Sequence, residues 1–161
     1  MMQAIDPESR LRDAHHDALR LWLRLFTCTQ LIERAIRGRL RRDFATTLPR
    51  FDFLAQLERN PQGLKMRELS QRLLVTGGNI TGLTDQLVSE GLVKRQPIAG
   101  DRRAFAVRLT SKGRRAFDAM AAAHEHWVIR LLAGLTVAER RSLYALLGRA
   151  KAAVRRFEED E

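Results

Sequence analysis

Two short stretches carry side chains whose types and spacing suit recognition of another molecule. In TGGNITGLTDQ, residues 76–86, small and amide side chains surround apolar positions that continue to Leu87. Read as a helix, this segment turns Ile80, Leu83 and Leu87 inward and Thr76, Gly77, Gly78, Asn79, Thr81, Gly82, Asp85 and Gln86 outward. Asn and Gln amides pair bidentately with adenine, a Thr can touch a thymine methyl or a phosphate, and small residues allow close approach to base edges. The plainer alternative is a turn rich in turn-forming residues. In GDRRAFAVRLTSKG, residues 100–113, Asp101, Arg102 and Arg103 crowd a turn, Phe105, Val107 and Leu109 alternate as one face of a strand, and Thr110 or Ser111 opens a helix. Guanidinium groups on such a turn suit phosphates or a minor groove. An ordinary solvated turn is the other reading.

Composition narrows the partner. The 161 residues hold 29 Lys and Arg against 19 Asp and Glu, a formal charge of +10, which points first to nucleic acid and second to a membrane surface. Aromatics are 6% of the chain, too few for a platform that stacks single-stranded bases. No uncharged apolar run approaches the ~18 residues of a membrane span, and the first residues lack the pattern of a secretory leader, so a soluble cytoplasmic protein is expected. Cys28 stands alone, which excludes an intrachain disulfide framework and suits a reducing compartment. His15 and His16 are adjacent and His124 and His126 are two apart, so neither pair has the i, i+4 spacing of a helical metal pair. With no nucleophile motif, phosphate-cradling glycine loop or carboxylate pair, neither an enzyme nor a cofactor is expected.

The elements that must position the two stretches follow from periodicity. A long helix is expected between about Ser9 and Phe44, with Ala18, Trp22, Leu25, Thr29, Ile32 and Ile36 forming its seam. At ~1.5 Å per residue it extends roughly 50 Å, beyond the ~40 Å diameter of a compact chain of this size, so it asks for a partner chain. A second helix starts near Thr47 and Pro49 and stops at Asn60, Pro61 and Gly63. Met66, Leu69 and Leu73 mark a third, and Thr76 and Gly91 bracket the fourth. LVKRQPI and AFAVRL form a hairpin, and Phe117, Met120, Trp127, Val128 and Leu131 line the helix after it. Thr136 and Glu139 have capping-box spacing before a last helix carrying Leu143, Leu146, Leu147, Ala150, Val154 and Phe157. The order is that of a winged helix-turn-helix: mainly α, with a small β-hairpin wing.

Residues 48–117 resemble the DNA-binding core of the MarR family of bacterial transcriptional regulators, through NITGLTDQL, GLVKR and DRRAFAVRLTSKG, and the flanking helices resemble that family's dimerisation frame. The resemblance implies a helical frame at 9–46 and 111–157 and a DNA-binding lobe at 47–110. It further implies a homodimer on a pseudo-palindromic operator in double-stranded DNA, acting as a repressor released by a small aromatic or anionic effector. An effector-independent activator or architectural DNA-binding protein is the alternative. By position in the motif, Arg103 is the residue for minor-groove insertion and Arg102 for a phosphate, with Asp101 paired to Arg103 or Arg108. Lys65, Arg67, Arg72, Lys94 and Arg95 are further phosphate candidates, Arg95 equally a structural one. The helices that surround the family's effector pocket carry Trp22, Phe26, Phe51, Phe53, Met120, His124 and Trp127, each also readable as core. Arg34, Arg37, Arg39, Arg41 and Arg42 are solvated charge, or hold an aromatic acid or its coenzyme A thioester. Some relatives sense peroxide through a cysteine in the first helix. Cys28 lies beside Leu25 and Ile32, and Tyr144 is the one tyrosine, so the hydroxyl pair that holds such a thiolate is missing.

Overall fold

The computed structural model describes residues 16–73, 77–98 and 101–159, the side chains of 101–104 and 158 excepted. Helix α1 spans Asp17–Phe44, α2 Leu48–Glu58, strand β1 Leu64–Lys65, α3 Met66–Leu73, α4 Gly77–Ser89, β2 Val93–Ile98, β3 Asp101–Leu109, α5 Ser111–Leu131 and α6 Val137–Glu159. Two compact units divide within α5, between Ala122 and Ala123.

In the first unit, Asp17 in the first turn of α1 and Arg41 and Arg42 in its last complement the helix dipole. The helix ends where Ala45 adopts φ 49°, and the N–H groups of Ala45 and Thr46 turn back to the carbonyls of Arg41 and Leu40. The expected seam is fully buried at its C-terminal end, where Ile36 is buried with Leu40, while Leu25 and Ile32 are half-buried and Trp22 is 56% exposed. Periodicity identifies the apolar face of a helix but not what lies against it. Residues 9–15, expected to begin this helix, lie outside the described residues.

Helices α2, α3 and α4 bury Phe53, Leu54, Leu57, Leu69, Ile80 and Leu87. Each such side chain removed from water contributes roughly 1.5–3 kcal/mol. Thr47 holds the N-cap position of α2 in extended conformation, with Pro49 in the first turn, and its side chain makes no capping hydrogen bond. Thr76, expected to cap α4, lies outside the described residues. On α4 itself Ile80 and Leu87 are buried as expected, but between them Leu83 is half-buried and Thr84 is fully buried. The Thr84 hydroxyl donates to the Ile80 carbonyl at 2.7 Å, so its polar atom is satisfied inside the helix.

The sheet has three antiparallel strands in the order β1-β3-β2, where a two-stranded hairpin was expected. Leu64 opposes Val107 and Lys65 opposes Ala106. Gly63 makes this approach possible, since it has φ 90° and a Cβ there would lie 2.6 Å from Arg108 Cγ and 2.8 Å from the Val107 carbonyl oxygen. Thr110 caps α5 by accepting from the Gly113 N–H at 2.9 Å, and its hydroxyl donates to the Gly91 carbonyl at 2.7 Å, tying the exit of the wing to the end of α4.

In the second unit, the expected capping box opens α6: the Thr136 N–H donates to Glu139 Oε2 at 2.7 Å and the Glu139 N–H to Thr136 Oγ1 at 3.3 Å. Helix α6 leaves Leu143, Leu146, Leu147, Val154 and Phe157 exposed. Among the described residues, no helix is long and apolar enough to cross a membrane.

Candidate nucleic-acid interface

Helix α4 is amphipathic in the sense that its outward residues suit base edges. Ile80, Thr84 and Leu87 anchor it, and Gly77, Gly78, Asn79, Thr81, Gly82, Asp85 and Gln86 are all exposed. Thr81 donates its hydroxyl to the Gly77 carbonyl at 3.0 Å, which fixes the rotamer and leaves its oxygen lone pairs and methyl for a partner. A side chain at Gly82 would meet nothing within 4 Å, so glycine there is not demanded by packing within the chain.

The acid on this face is neutralised from the wing. Arg95 on β2 pairs with Asp85 on α4, so Arg95 has a structural partner rather than a free guanidinium. Lys94 is exposed beside it, and Lys65, Arg67 and Arg72 are exposed on β1 and α3. Glu68 accepts from the Lys65 N–H at 2.7 Å, a carboxylate serving the first turn of α3.

At the wing the register is irregular. Pro97 opposes Phe105 but Ile98 opposes Asp101, so Arg102, Arg103 and Ala104 have no counterpart on β2. A bulge of this kind bends a strand and re-aims its side chains. The side chains of Arg102 and Arg103 themselves lie outside the described residues. The inward face expected for the strand is incomplete: Val107 is fully buried and Leu109 half-buried, but Phe105, paired with Pro97 next to the bulge, is 43% exposed and does not anchor the wing.

Arg108 is the residue that sequence reasoning misassigned. From position 101 to 108 along β3, at ~3.3 Å per residue, the chain covers roughly 23 Å, so Arg108 does not reach Asp101. Its Nε and Nη2 donate to the Pro61 carbonyl at 2.8 and 2.6 Å, and Nη1 donates to Gln96 Oε1 at 2.9 Å. Arg108 therefore clamps the base of the wing to the loop after α2. Its position on the strand opposite Lys94 was legible, but its loop partner was not.

The residues proposed for an effector separate into two groups. Trp22 and Phe26 stack with ring centroids 5.6 Å apart and are both exposed. Phe51 and Phe53 belong to the core, with Phe51 stacked on Phe117 at 5.6 Å and Phe53 wholly enclosed, so Phe53 offers no surface to a ligand. His124 is half-buried and Trp127 buried. Arg37 is paired with Glu33 and borders a cavity of about 230 Å³ with Leu48, Pro49, Asp52, Leu73 and Leu83. Cys28, beside Leu25 and Ile32 on the expected apolar face, is exposed.

A family model described as MarR family matches residues 46–104, the segment from the start of α2 into the wing. The HTH-type transcriptional regulator PecS of Dickeya dadantii is 28% identical over 123 residues, covering 75% of this chain and 74% of that one. The uncharacterized HTH-type transcriptional regulator YkoM of Bacillus subtilis is 33% identical over 92 residues, and the match covers 57% of this chain and 58% of YkoM. Among solved structures, a MarR family transcriptional regulator from Silicibacter pomeroyi matches with TM-score 0.74 and 30% identity over 89% of this chain and 99% of that one. A mutant MarR from E. coli complexed with operator DNA matches with TM-score 0.72 and 25% identity, over 86% of this chain and 99% of that one.

Proposed function

The chain belongs to the MarR family of transcriptional regulators, and on that footing we propose that it binds double-stranded operator DNA as a homodimer and represses transcription until a small aromatic or anionic effector releases it. The observation that carries the reading is the outward face of α4, where Asn79, Thr81 and Gln86 are exposed beside Lys94 of the wing. In this reading Gly77, Gly78 and Gly82 let α4 seat deeply, Asn79 and Gln86 read bases, and Lys94, Arg102, Arg103, Arg67 and Arg72 meet phosphates or the minor groove. In this reading the lobe is residues 47–110, and the segments 9–46 and 111–157 form the dimer frame. Support for the dimer comes from apolar side chains left in water: Leu21, Trp22 and Phe26 on α1, and Leu146, Val154 and Phe157 on α6. The operator-bound relative makes DNA the partner to test first.

A footprint on the DNA upstream of its own gene tests this directly. The expected result is protection of a two-fold-related site with half-sites about one helical turn, roughly 34 Å, apart. Protection of a single half-site would contradict the dimer.

A further inference from the structure

The base of the wing is tied to the lobe on both faces of the sheet. Arg95 and Val107 are direct cross-strand partners and share one face, where Val107 is buried and Arg95 pairs with Asp85 of α4. On the other face Lys94 opposes Arg108 and Gln96 opposes Ala106, so Gln96 and Arg108 are diagonal neighbours. Arg108 joins three segments there: Nη1 donates to Gln96 Oε1 on β2, while Nε and Nη2 both donate to the Pro61 carbonyl in the loop between α2 and β1. That carbonyl is itself held in place. The ring of Pro61 fixes its own φ, Asn60 Nδ2 donates to the Gln56 carbonyl at 2.7 Å, and the Gly63 N–H donates to the Asn60 carbonyl at 2.8 Å. The same loop makes room for the arginine stem, because a Cβ at Gly63 would lie 2.6 Å from Arg108 Cγ.

Past Arg108 the hairpin has little to rest on. Gln96, Pro97 and Phe105 are exposed, and the register breaks beyond the pair of Pro97 and Phe105. Polar ties at the base therefore set the angle at which the wing leaves the lobe. From position 108 to 103 the strand covers about 17 Å. A rotation of about 10° at the base then displaces the tip by roughly 3 Å, more than a hydrogen bond or ion pair tolerates.

We propose that Arg108 is a positioning residue for operator recognition: closed on the Pro61 carbonyl and Gln96, it sets the pitch of the wing so that the wing tip and α4 meet DNA together, and it touches no phosphate itself. The proposal rests on the reading of the chain as a regulator that contacts DNA through α4 and the wing. All three guanidinium nitrogens of Arg108 are engaged by protein oxygens at 2.6–2.9 Å. Lysine keeps the charge of this side chain but not its planar fork, and one ammonium at the end of a flexible stem does not span both partners in the same geometry.

Fluorescence anisotropy with labelled DNA from upstream of the chain's own gene tests the role in wild-type and Arg103→Ala backgrounds. Arg108→Lys should weaken binding about fivefold in the wild-type background although the charge is kept. In the Arg103→Ala background it should change binding less than about twofold, because the wing-tip contact it positions is already gone. Gln96→Ala removes one partner of the fork and should show the same pattern with a smaller loss, which keeps the test open if Arg108→Lys fails to fold. Full affinity in Arg108→Lys, or an equal loss in both backgrounds, would overturn the positioning role and leave the regulator standing; with Arg108→Lys unfolded, full affinity in Gln96→Ala or its equal loss in both backgrounds would do the same. Wild-type protein that does not bind this DNA at low salt would overturn both.

Discussion

Arg95 on β2 pairs with Asp85 on the outward face of α4, joining the wing to the helix proposed to read the major groove. Both side chains are more than a third exposed, so the pair contributes less than ~1 kcal/mol to folding. Its larger effect is on charge: without Arg95, the Asp85 carboxylate would stand bare toward phosphate. Arg95→Ala should therefore leave thermal unfolding nearly unchanged and weaken operator binding roughly tenfold, measured by fluorescence anisotropy, with Asp85→Ala in the same chain recovering most of the loss. A double variant no better than the single one would remove Asp85 from the explanation.

Two glycines separate packing from recognition. A Cβ at Gly113 would lie 1.9 Å from the Leu92 carbonyl oxygen, so Gly113→Ala must push apart α5 and the start of β2. Urea unfolding should show a loss of roughly 1–3 kcal/mol. A Cβ at Gly82 meets nothing, and Gly82→Ala should stabilise α4 by about 0.5–1 kcal/mol while weakening operator binding. Undiminished DNA affinity in Gly82→Ala would mean that this face of α4 does not approach bases closely.

What could be read from the sequence was local. The capping box of Thr136 and Glu139, the cap of α5 at Thr110 and the outward face of α4 are each set by residues within a turn or two of one another. What escaped was non-local or polar. Strand β1 is two residues long and exists through its pairing with Val107 and Ala106, more than forty positions away. Thr84 is buried although threonine carries no apolar signal, because its hydroxyl is spent on the Ile80 carbonyl. Phe105 follows the alternation of a strand and pairs with Pro97, but it is the last pair before the bulge at residues 102–104 and stays exposed at the wing. The seam of α1 is apolar as its spacing predicts, and Trp22 is nevertheless 56% exposed among the described residues.

The exposed apolar face of α6 should be an interface. Leu146 is 57% exposed, so Leu146→Glu costs little within one chain, yet it would place a charge in a buried contact between two. Sedimentation equilibrium should show the wild type as a dimer and Leu146→Glu largely as a folded monomer with unchanged helical content. A monomeric wild type at micromolar concentration would contradict the proposed assembly.

Hydrogen bonding to Arg50 holds the Glu90 carboxyl below its ordinary value of 4.5, with the Arg50 and Lys112 charges acting in the same direction. A folded-state value below the unfolded one means stability that is present above about pH 4.5 and lost as pH falls through the folded value. Urea midpoints measured from neutral pH downward should therefore show wild type above Glu90→Gln at neutral pH, with the two converging in acid. A gap that persists unchanged in acid would show that Glu90 stabilises by some means other than its charge.

The most direct test of operator recognition is a mobility-shift titration of the DNA upstream of the chain's own gene, comparing wild type with Asn79→Ala at low salt. Binding by wild type with preference over unrelated DNA is expected, with that preference reduced in Asn79→Ala by roughly 1–3 kcal/mol. Absence of any shift by wild type, or a preference left intact in Asn79→Ala, would contradict recognition through the outward face of α4.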